Sequence, residues 1–197
     1  YEGQKAESIE KSAIRAGYPV GPLAVIDEIN INLIANIRKH KYQENEKNNN
    51  KTKIFSSDKV IDIMIKKVNR TGRSGLGGFY EYPNQGKKFL WTNIEKYFPI
   101  SKKQLSKREM MDRFYFSQAI ETIRCYEEGV IDSVSDANIG SILGWGFPSS
   151  KGGTLKFVND YGIPKFMART QKLADKYGDR FAPPRLLQKL SESGKIF

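Results

Sequence analysis

A short turn occurs twice in this sequence and constrains its architecture more than any other feature. "GYPVGPLAVIDEINI" begins at Gly17, and a looser copy, "GFPSSKGGTLKFVNDYGI", begins at Gly146, 129 residues later. After the turn the second copy carries three extra residues, so that Ile31 pairs with Ile163 at a separation of 132. A helical pattern precedes each turn and another follows it. The repeat therefore predicts two tandem related helical units.

Most of the remaining sequence also predicts helices. Apolar residues recur at helical spacing in "INLIANIRKH", where Ile31, Leu33, Ile34 and Ile37 predict one apolar face. The longest helical pattern runs from about Lys107 to Glu128. Two aromatic runs around "PNQG" predict a single β-hairpin near residues 79–91. The expected fold class is mainly α with one small β-hairpin.

The domain boundary is expected at the polar stretch "FPISKKQLSK". We therefore predict a first helical repeat over residues 1–99 and a second over residues 106–197. Within the first repeat, "KYQENEKNNNKTK" has almost nothing to bury, which predicts a mobile surface insertion near residues 43–53.

Three helix starts are predicted from capping residues. Ser57 is expected to cap the helix in "DKVIDIMIKKV", and Ser135 the helix in "DANIGSIL". Thr92 and Glu95 have the spacing of a capping box.

Charge and cysteine content limit the classes of function. The chain has 33 Lys and Arg residues against 22 Asp and Glu residues, a net charge of +11. This excess suits a polyanionic partner such as nucleic acid, but it suits equally a Lys-rich composition spread over solvated faces. The lysines do not gather in one basic stretch, so we expect no nucleic-acid partner. One cysteine and the lack of a membrane-length apolar run predict a cytoplasmic protein without a membrane span.

Five motifs together carry a family resemblance. In order, they are "AGYPVGPLAVIDEINI", "GRSGLGGFYEY", "IRCYEEGVID", "GWGFPSSKGGTLKFVNDYG" and "YGDRFAPPRLL". This set resembles 3-hydroxyacyl-CoA dehydrogenases. It is most similar to the C-terminal part of the multifunctional fatty-acid β-oxidation enzymes, in which enoyl-CoA hydratase is fused to the dehydrogenase.

The resemblance implies a fold and a function. The duplicated helical region would resemble the C-terminal domain of 6-phosphogluconate dehydrogenase and form an intramolecular pseudo-dimer. Its function would be that of an acyl-CoA-binding and interdomain-packing module, catalytically incomplete alone, in an NAD-dependent dehydrogenase. The implied partners are acyl-CoA, the protein's own N-terminal NAD-binding and hydratase domains, and a thiolase subunit in the parent complex. NAD would be bound by the parent enzyme and not by this chain alone.

The resemblance also nominates the first turn as the candidate site. The expected substrate-binding or interdomain residues are Tyr18, Pro19, Val20, Gly21, Pro22 and Leu23. A rigid interdomain turn explains the same residues equally well. No catalytic or metal-binding residue is predicted, because the family's His–Glu pair belongs to the NAD-binding domain.

The remaining reactive residues favour structural roles. His40 has no family motif around it and is expected to be solvated, while Cys125 has no neighbouring base. Glu127 and Glu128 are expected to face solvent at a helix end. "GRSGLGGF" lacks both the helix that follows a dinucleotide fingerprint and the Lys-Ser/Thr of a phosphate-binding loop, so it predicts a turn.

Two other functions remain open at this stage. A helical scaffold that kept the fold and lost the enzyme would bind neither acyl-CoA nor a dehydrogenase half. A basic nucleic-acid-binding protein would need a concentrated basic face.

Overall fold

A computed structural model describes residues 1–52 and 54–197 of the chain. These residues contain ten α-helices and a two-stranded sheet, which confirms the predicted mainly α fold with one small β-hairpin. They divide into two compact units. Unit 1 comprises Tyr1–Lys11 and Val20–Leu105, and unit 2 comprises Ser12–Pro19 and Ser106–Phe197. In the described part of the chain, no helix has the length and apolarity needed to cross a membrane.

The first half of the chain contains five helices and the hairpin. These elements are α1 (Ala6–Ala16), α2 (Pro22–Ile29), α3 (Ile31–Lys47), α4 (Ser56–Asp62), β1 (Tyr80–Glu81), β2 (Phe89–Leu90) and α5 (Ile94–Tyr97). A single π-helical turn, Ile63–Lys67, continues α4. The strands pair antiparallel, with Tyr80 opposite Leu90. The core of unit 1 is formed by Ile31, Ile61, Met64, Phe79 and Trp91.

The helix α3 is longer than the sequence pattern predicted. It continues to Lys47, so the first five residues of the predicted insertion are helical. Tyr42 donates a hydrogen bond to Asp58 of α4 (Oη to Oδ2, 2.7 Å), and Arg38 donates one to Asp62 (Nη2 to Oδ1, 2.6 Å). These contacts fix α3 against α4 in a stretch that has little apolar surface. Lys53, also within the predicted insertion, lies outside the described residues.

The second half of the chain contains the other five helices. They are α6 (Lys107–Glu127), α7 (Val134–Trp145), α8 (Thr154–Tyr161), α9 (Ile163–Tyr177) and α10 (Arg185–Ser193). The long helix α6 forms the centre of unit 2, because Phe116, Ala119, Ile120 and Ile123 are fully buried. The ring of Phe116 stacks on that of Phe166 with centroids 4.2 Å apart.

The repeated sequence folds into a repeated three-helix motif. The first copy is α1–α2–α3 and the second copy is α7–α8–α9. The residue that joins the last two helices has nearly the same backbone angles in both, φ 81° and ψ 119° at Asn30 against φ 86° and ψ 121° at Gly162. A positive φ is common for glycine and tolerated by asparagine. Corresponding residues of α2–α3 and α8–α9 are 132 positions apart.

The predicted caps were wrong in detail. The helix α4 begins at Ser56, and Asp58 accepts the N–H of Phe55 ahead of it. Ser133, two residues before the predicted cap, accepts the N–H of Asp136 at the start of α7. The helix α5 begins after Asn93, one residue beyond Thr92. A capping side chain is set by local backbone angles that composition does not reveal.

Candidate functional site

The candidate turn contains residues of both compact units. Tyr18 and Pro19 group with unit 2, whereas Val20, Gly21, Pro22 and Leu23 group with unit 1.

Tyr18 is a packed residue of unit 2, only 9% exposed. Its hydroxyl donates a hydrogen bond to Oε1 of Gln118 at 3.1 Å. Its ring centroid lies 6.0 Å from that of Phe114 and 6.2 Å from those of Tyr115 and Phe147. Burial raises the pKa of the Tyr18 hydroxyl well above its ordinary value. The hydroxyl therefore stays protonated and serves as a structural donor.

Gln118 is a polar residue that the sequence analysis missed as a neighbour of the turn. Its Oε1 accepts hydrogen bonds from Tyr18 and from the indole N–H of Trp145 at 3.2 Å. Ile120, two positions further along the same helix, is fully buried. The available signal in the sequence was the position of Gln118, a polar residue on the apolar side of the predicted helix α6.

The Gly-aromatic-Pro segments of the two copies pack on each other within unit 2. A Cβ added to Gly17 would lie 3.1 Å from Cβ of Pro148, and one added to Gly146 would lie 3.0 Å from Cγ of Pro19. Both glycines have positive φ, 96° and 73°. The pairs are reciprocal, as at an interface between two-fold-related copies. These four residues form a rigid contact with no room for side chains at the glycines.

The unit 1 part of the turn is held by Glu10. Oε1 of Glu10 accepts the N–H of Leu23 at 2.8 Å, and Oε2 accepts the hydroxyl hydrogen of Tyr80 at 2.6 Å. A Cβ at Gly21 would collide with this carboxylate, so only glycine fits there. Pro22 is the first residue of α2, where its missing N–H costs nothing.

The exposed part of the turn is small. Pro19 is exposed, and the side chain of Val20 is 44% exposed. Leu23 is half-buried and packs against the core of unit 1. Tyr18 and Gly21 are buried. Each part of the turn therefore exposes one apolar residue, Pro19 in unit 2 and Val20 in unit 1, and neither part brings together a nucleophile and a base.

The glycine-rich segment "GRSGLGGF" does not fit NAD. A Cβ at Gly78 would collide with the Asp27 carboxylate, and one at Gly77 would press on the Arg70 guanidinium. Asp27 accepts the N–H groups of Phe79 and Tyr80, both at 2.8 Å. A buried carboxylate thus fills the space that a phosphate would need, and its charge would repel one. No dinucleotide-binding step is assigned to these residues.

Burial is the main influence on the pKa of Asp27. It raises this pKa, and the hydrogen bonds from Phe79, Tyr80 and Tyr82 act in the opposite direction. Asp27 is fully buried and anchors the hairpin to α2.

An open groove of about 300 Å³ lies in unit 2. Apolar residues Val130, Ile131 and Trp145 line it together with Asp132 and Asp136. Both aspartates are exposed at this surface. Two carboxylates would repel the phosphates of CoA, so the groove does not suit that part of the ligand.

The reactive residues have the structural environments that the sequence analysis expected. His40 is exposed on α3, and Glu127 and Glu128 face solvent. Burial raises the pKa of the Cys125 thiol, with Glu121 and Glu128 adding to the effect, so the thiolate is disfavoured. Within residues 1–52 and 54–197, no group of three or more His, Cys, Asp or Glu side chains could hold a metal ion.

Comparison with known proteins identifies the class of domain. The profile of the family "3-hydroxyacyl-CoA dehydrogenase, C-terminal domain" matches residues 1–82. The whole chain is 32% identical over 201 residues to the fatty acid oxidation complex subunit alpha of Shewanella amazonensis. The resemblance predicted from the sequence motifs is thereby confirmed. The chain spans 27% of the length of that relative.

Two solved structures share the fold. The dehydrogenase part of multifunctional enzyme 1 from C. elegans matches 95% of this chain with a TM-score of 0.69 and 22% identity. 3-Hydroxybutyryl-CoA dehydrogenase from Escherichia coli matches 98% with a TM-score of 0.60 and 16% identity. This chain covers 42% and 56% of those two proteins, respectively.

Proposed function

We propose that this chain is the C-terminal acyl-CoA-binding and interdomain-packing module of an NAD-dependent 3-hydroxyacyl-CoA dehydrogenase. In this proposal the hydride transfer and the His–Glu base belong to other domains of a longer polypeptide. The partners are acyl-CoA, an NAD-binding domain and a hydratase domain, with a thiolase subunit in the parent complex. The compartment is the cytoplasm.

The reciprocal packing of the two turns is the observation that carries the proposal. Two reciprocal contacts, of Gly17 with Pro148 and of Gly146 with Pro19, are expected when two related halves form an internal pseudo-dimer. A chain with this arrangement would contain both halves of the pseudo-dimer and would not need a second polypeptide to form it. The similarity over the whole chain to a fatty acid oxidation subunit supports the same parent enzyme.

The role of the turn follows from its rigidity. Within unit 2, buried Tyr18 and Gly17 hold the backbone next to Pro19. Within unit 1, Glu10 holds the backbone that follows Val20. A preorganised apolar surface loses little entropy when it contacts an acyl group or a neighbouring domain. No proton transfer is assigned to the turn.

The first test is the intact mass of the native gene product. A mass far above that of 197 residues supports a longer dehydrogenase. A mass equal to that of this chain would overturn the multidomain proposal and leave a scaffold or a separate NAD-binding subunit.

The second test separates substrate contact from folding in the natural polypeptide. Val20→Asp should raise KM for a 3-hydroxyacyl-CoA by about tenfold while kcat changes by less than about twofold. Its melting temperature should not change, because Val20 is 44% exposed. Leu76→Asp, at a residue 75% exposed in the glycine-rich turn, is the matched control. Equal kinetics in both variants would exclude substrate contact by the turn.

A further inference from the structure

One surface of unit 2 is acidic and apolar, although the chain as a whole is strongly basic. Residues 125–150 contain four carboxylates, all of them exposed, and no Lys, Arg or His. All 33 Lys and Arg residues of the chain therefore lie outside this segment. The segment comprises the end of α6, the linker after it, the whole of α7 and the turn that begins at Gly146. Its charge is thus opposite in sign to the net charge of +11.

The open groove of unit 2 is formed by this segment. Its walls include Val130 and Trp145, which are 70% and 50% exposed, and the carboxylates of Asp132 and Asp136 also line it. Gly140 lines the groove from α7, and a Cβ added there would meet no atom within 4 Å. The groove is therefore open to solvent where this glycine lacks a side chain, and it combines apolar walls with two negative charges.

Two aliphatic side chains on α7 extend the apolar surface beyond the groove. Ile139 and Leu143 are 56% and 80% exposed and lie four residues apart, on adjacent turns of one uninterrupted helix. Gly144 comes four residues after Gly140, and a Cβ added to it would likewise meet nothing within 4 Å. The distance between packed helices depends on the side chains at their contact, so these two glycines allow a close approach. We define the α7 surface as Val130, Asp132, Asp136, Ile139, Gly140, Leu143, Gly144 and Trp145.

The stability of α7 explains only part of this pattern. Ser133 caps the helix, and Asp136 lies in its first turn, where a negative charge is favourable. Two glycines inside a helix weaken it, however, and the 80% exposed Leu143 gains little from folding. A contiguous exposed apolar patch of this kind indicates contact with another molecule.

We propose that the α7 surface is a docking site for a basic amphipathic helix of another protein. The apolar side of that helix packs into the groove against Trp145, and its lysine or arginine side chains pair with Asp132 and Asp136. Charge complementarity favours this occupant over a second copy of the chain. In a symmetric dimer the α7 surface would meet itself, and its carboxylates would repel one another. The inference does not depend on the proposed function.

Fluorescence anisotropy of a labelled peptide can test this docking site in the natural polypeptide that contains the chain. The probe is a synthetic helical peptide of about 18 residues, built from Leu, Ala and Lys with the leucines on one face. We expect it to bind, and to bind more weakly as salt is added. A peptide with Glu in place of each Lys has the same apolar face and should bind at least about tenfold more weakly.

Two variants locate the binding on the α7 surface. Gly140→Leu fills the groove and should weaken binding of the lysine peptide at least about tenfold. Its melting temperature should stay the same or rise, because leucine favours a helix more than glycine and the Cβ has no close neighbour. Asp132→Asn combined with Asp136→Asn should weaken binding about fivefold and reduce its salt dependence. Glu192→Gln, at an exposed carboxylate of α10, is the charge control and should bind as the wild type does.

Three results would overturn the inference. One is that the lysine peptide does not bind, or binds no better than the glutamate peptide. Another is that it binds Gly140→Leu as tightly as the wild type, since the groove would then not be the site. The third is self-association of the polypeptide that Gly140→Leu abolishes, because a second copy would then be the occupant.

Discussion

The two copies of the three-helix motif use the same positions with different chemistry. In the first copy, Asp27 holds the hairpin by accepting the N–H groups of Phe79 and Tyr80. In the second copy, the equivalent Asn159 holds the backbone of Phe197, accepting its N–H and donating to its carbonyl oxygen, both at 3.1 Å. In each copy, the residue at this position of the motif therefore forms hydrogen bonds with a backbone segment that comes later in the chain.

A second pair of side chains plays matching roles, although Glu10 aligns with Ile139 and not with Asn138. Glu10 of α1 accepts the N–H of Leu23 at 2.8 Å. Asn138 of α7 accepts the N–H of Leu155, the equivalent of Leu23, at 3.0 Å and that of Lys156 at 2.9 Å. In both copies a side chain of the first helix caps the second helix, satisfying N–H groups that lack intrahelical partners. The geometry of the motif is therefore preserved while the identity of the acceptor changes.

We expect the largest difference in stability between the copies for substitutions at the equivalent residues Asp27 and Asn159. Asp27→Ala leaves two N–H groups of the hairpin without their acceptor and should lower the free energy of unfolding by about 3 kcal/mol. Asn159→Ala should cost about 1–2 kcal/mol, because it removes neutral hydrogen bonds from a half-buried position. Urea denaturation measures both, with the exposed Asp160→Ala as control. Equal costs for the two variants would show that the carboxylate gives the first copy no stronger anchor.

The contact between the turns should give the next largest effect. Gly146→Ala strains a residue with φ of 73° and presses its Cβ against Pro19, so we expect a loss of about 2 kcal/mol. Gly129→Ala is a matched control, since its φ is 71° and its Cβ would meet nothing within 4 Å. That control should cost about 1 kcal/mol by strain alone. Thermal unfolding that fails to separate the two variants would remove the proline contact from the explanation.

The smallest effect is expected from charge pairs confined to unit 2, for which unit 1 has no equivalent at these positions. Hydrogen bonds from Lys176, then from Arg169 and Tyr177, lower the pKa of Glu109 from 4.5 to about 2. A lowered folded-state pKa stabilises the protein above the unfolded pKa and loses that stabilisation as pH falls. Stability should therefore decline between about pH 4.5 and pH 2.

Glu109→Gln provides the test of this ion-pair network. The variant should cost about 1 kcal/mol at neutral pH and flatten the decline in melting temperature below pH 4.5. A wild-type-like acid profile in Glu109→Gln would assign the decline to other carboxylates.

Helix limits can be predicted from the sequence where a residue constrains its own backbone. Pro22 begins α2, and Gly162 and Gly178 end α8 and α9, because proline and glycine constrain φ locally. The family motifs led to the resemblance that the comparisons with known proteins confirm.

The burial of apolar residues was harder to predict. Leu33 and Ile37 have the helical spacing of a buried face, as do Ile31 and Ile34, yet only the second pair points to the core of unit 1. The spacing describes a helix but does not say which partner covers each side. On α1, likewise, Ile14 is 53% exposed while its neighbour Ala13 is buried.

The polar contacts of the candidate site depend on residues far apart in sequence. Gln118 reaches Tyr18 across 100 positions, and Asp27 reaches Phe79 across 52. No local pattern encodes such a pair. The repeat offered one usable hint, since Asp27 and Asn159 were already aligned by it.

Duplication of the motif within one chain has a consequence for how its residues can change. In a symmetric assembly of identical subunits, a single codon determines both members of every reciprocal pair. Here Pro19 and Pro148, or Asp27 and Asn159, are encoded separately, so a mutation alters one side and leaves the other intact. Selection can therefore adapt one half to anchoring a hairpin and the other to holding the segment at Phe197, a specialisation that a symmetric pair of identical subunits cannot evolve.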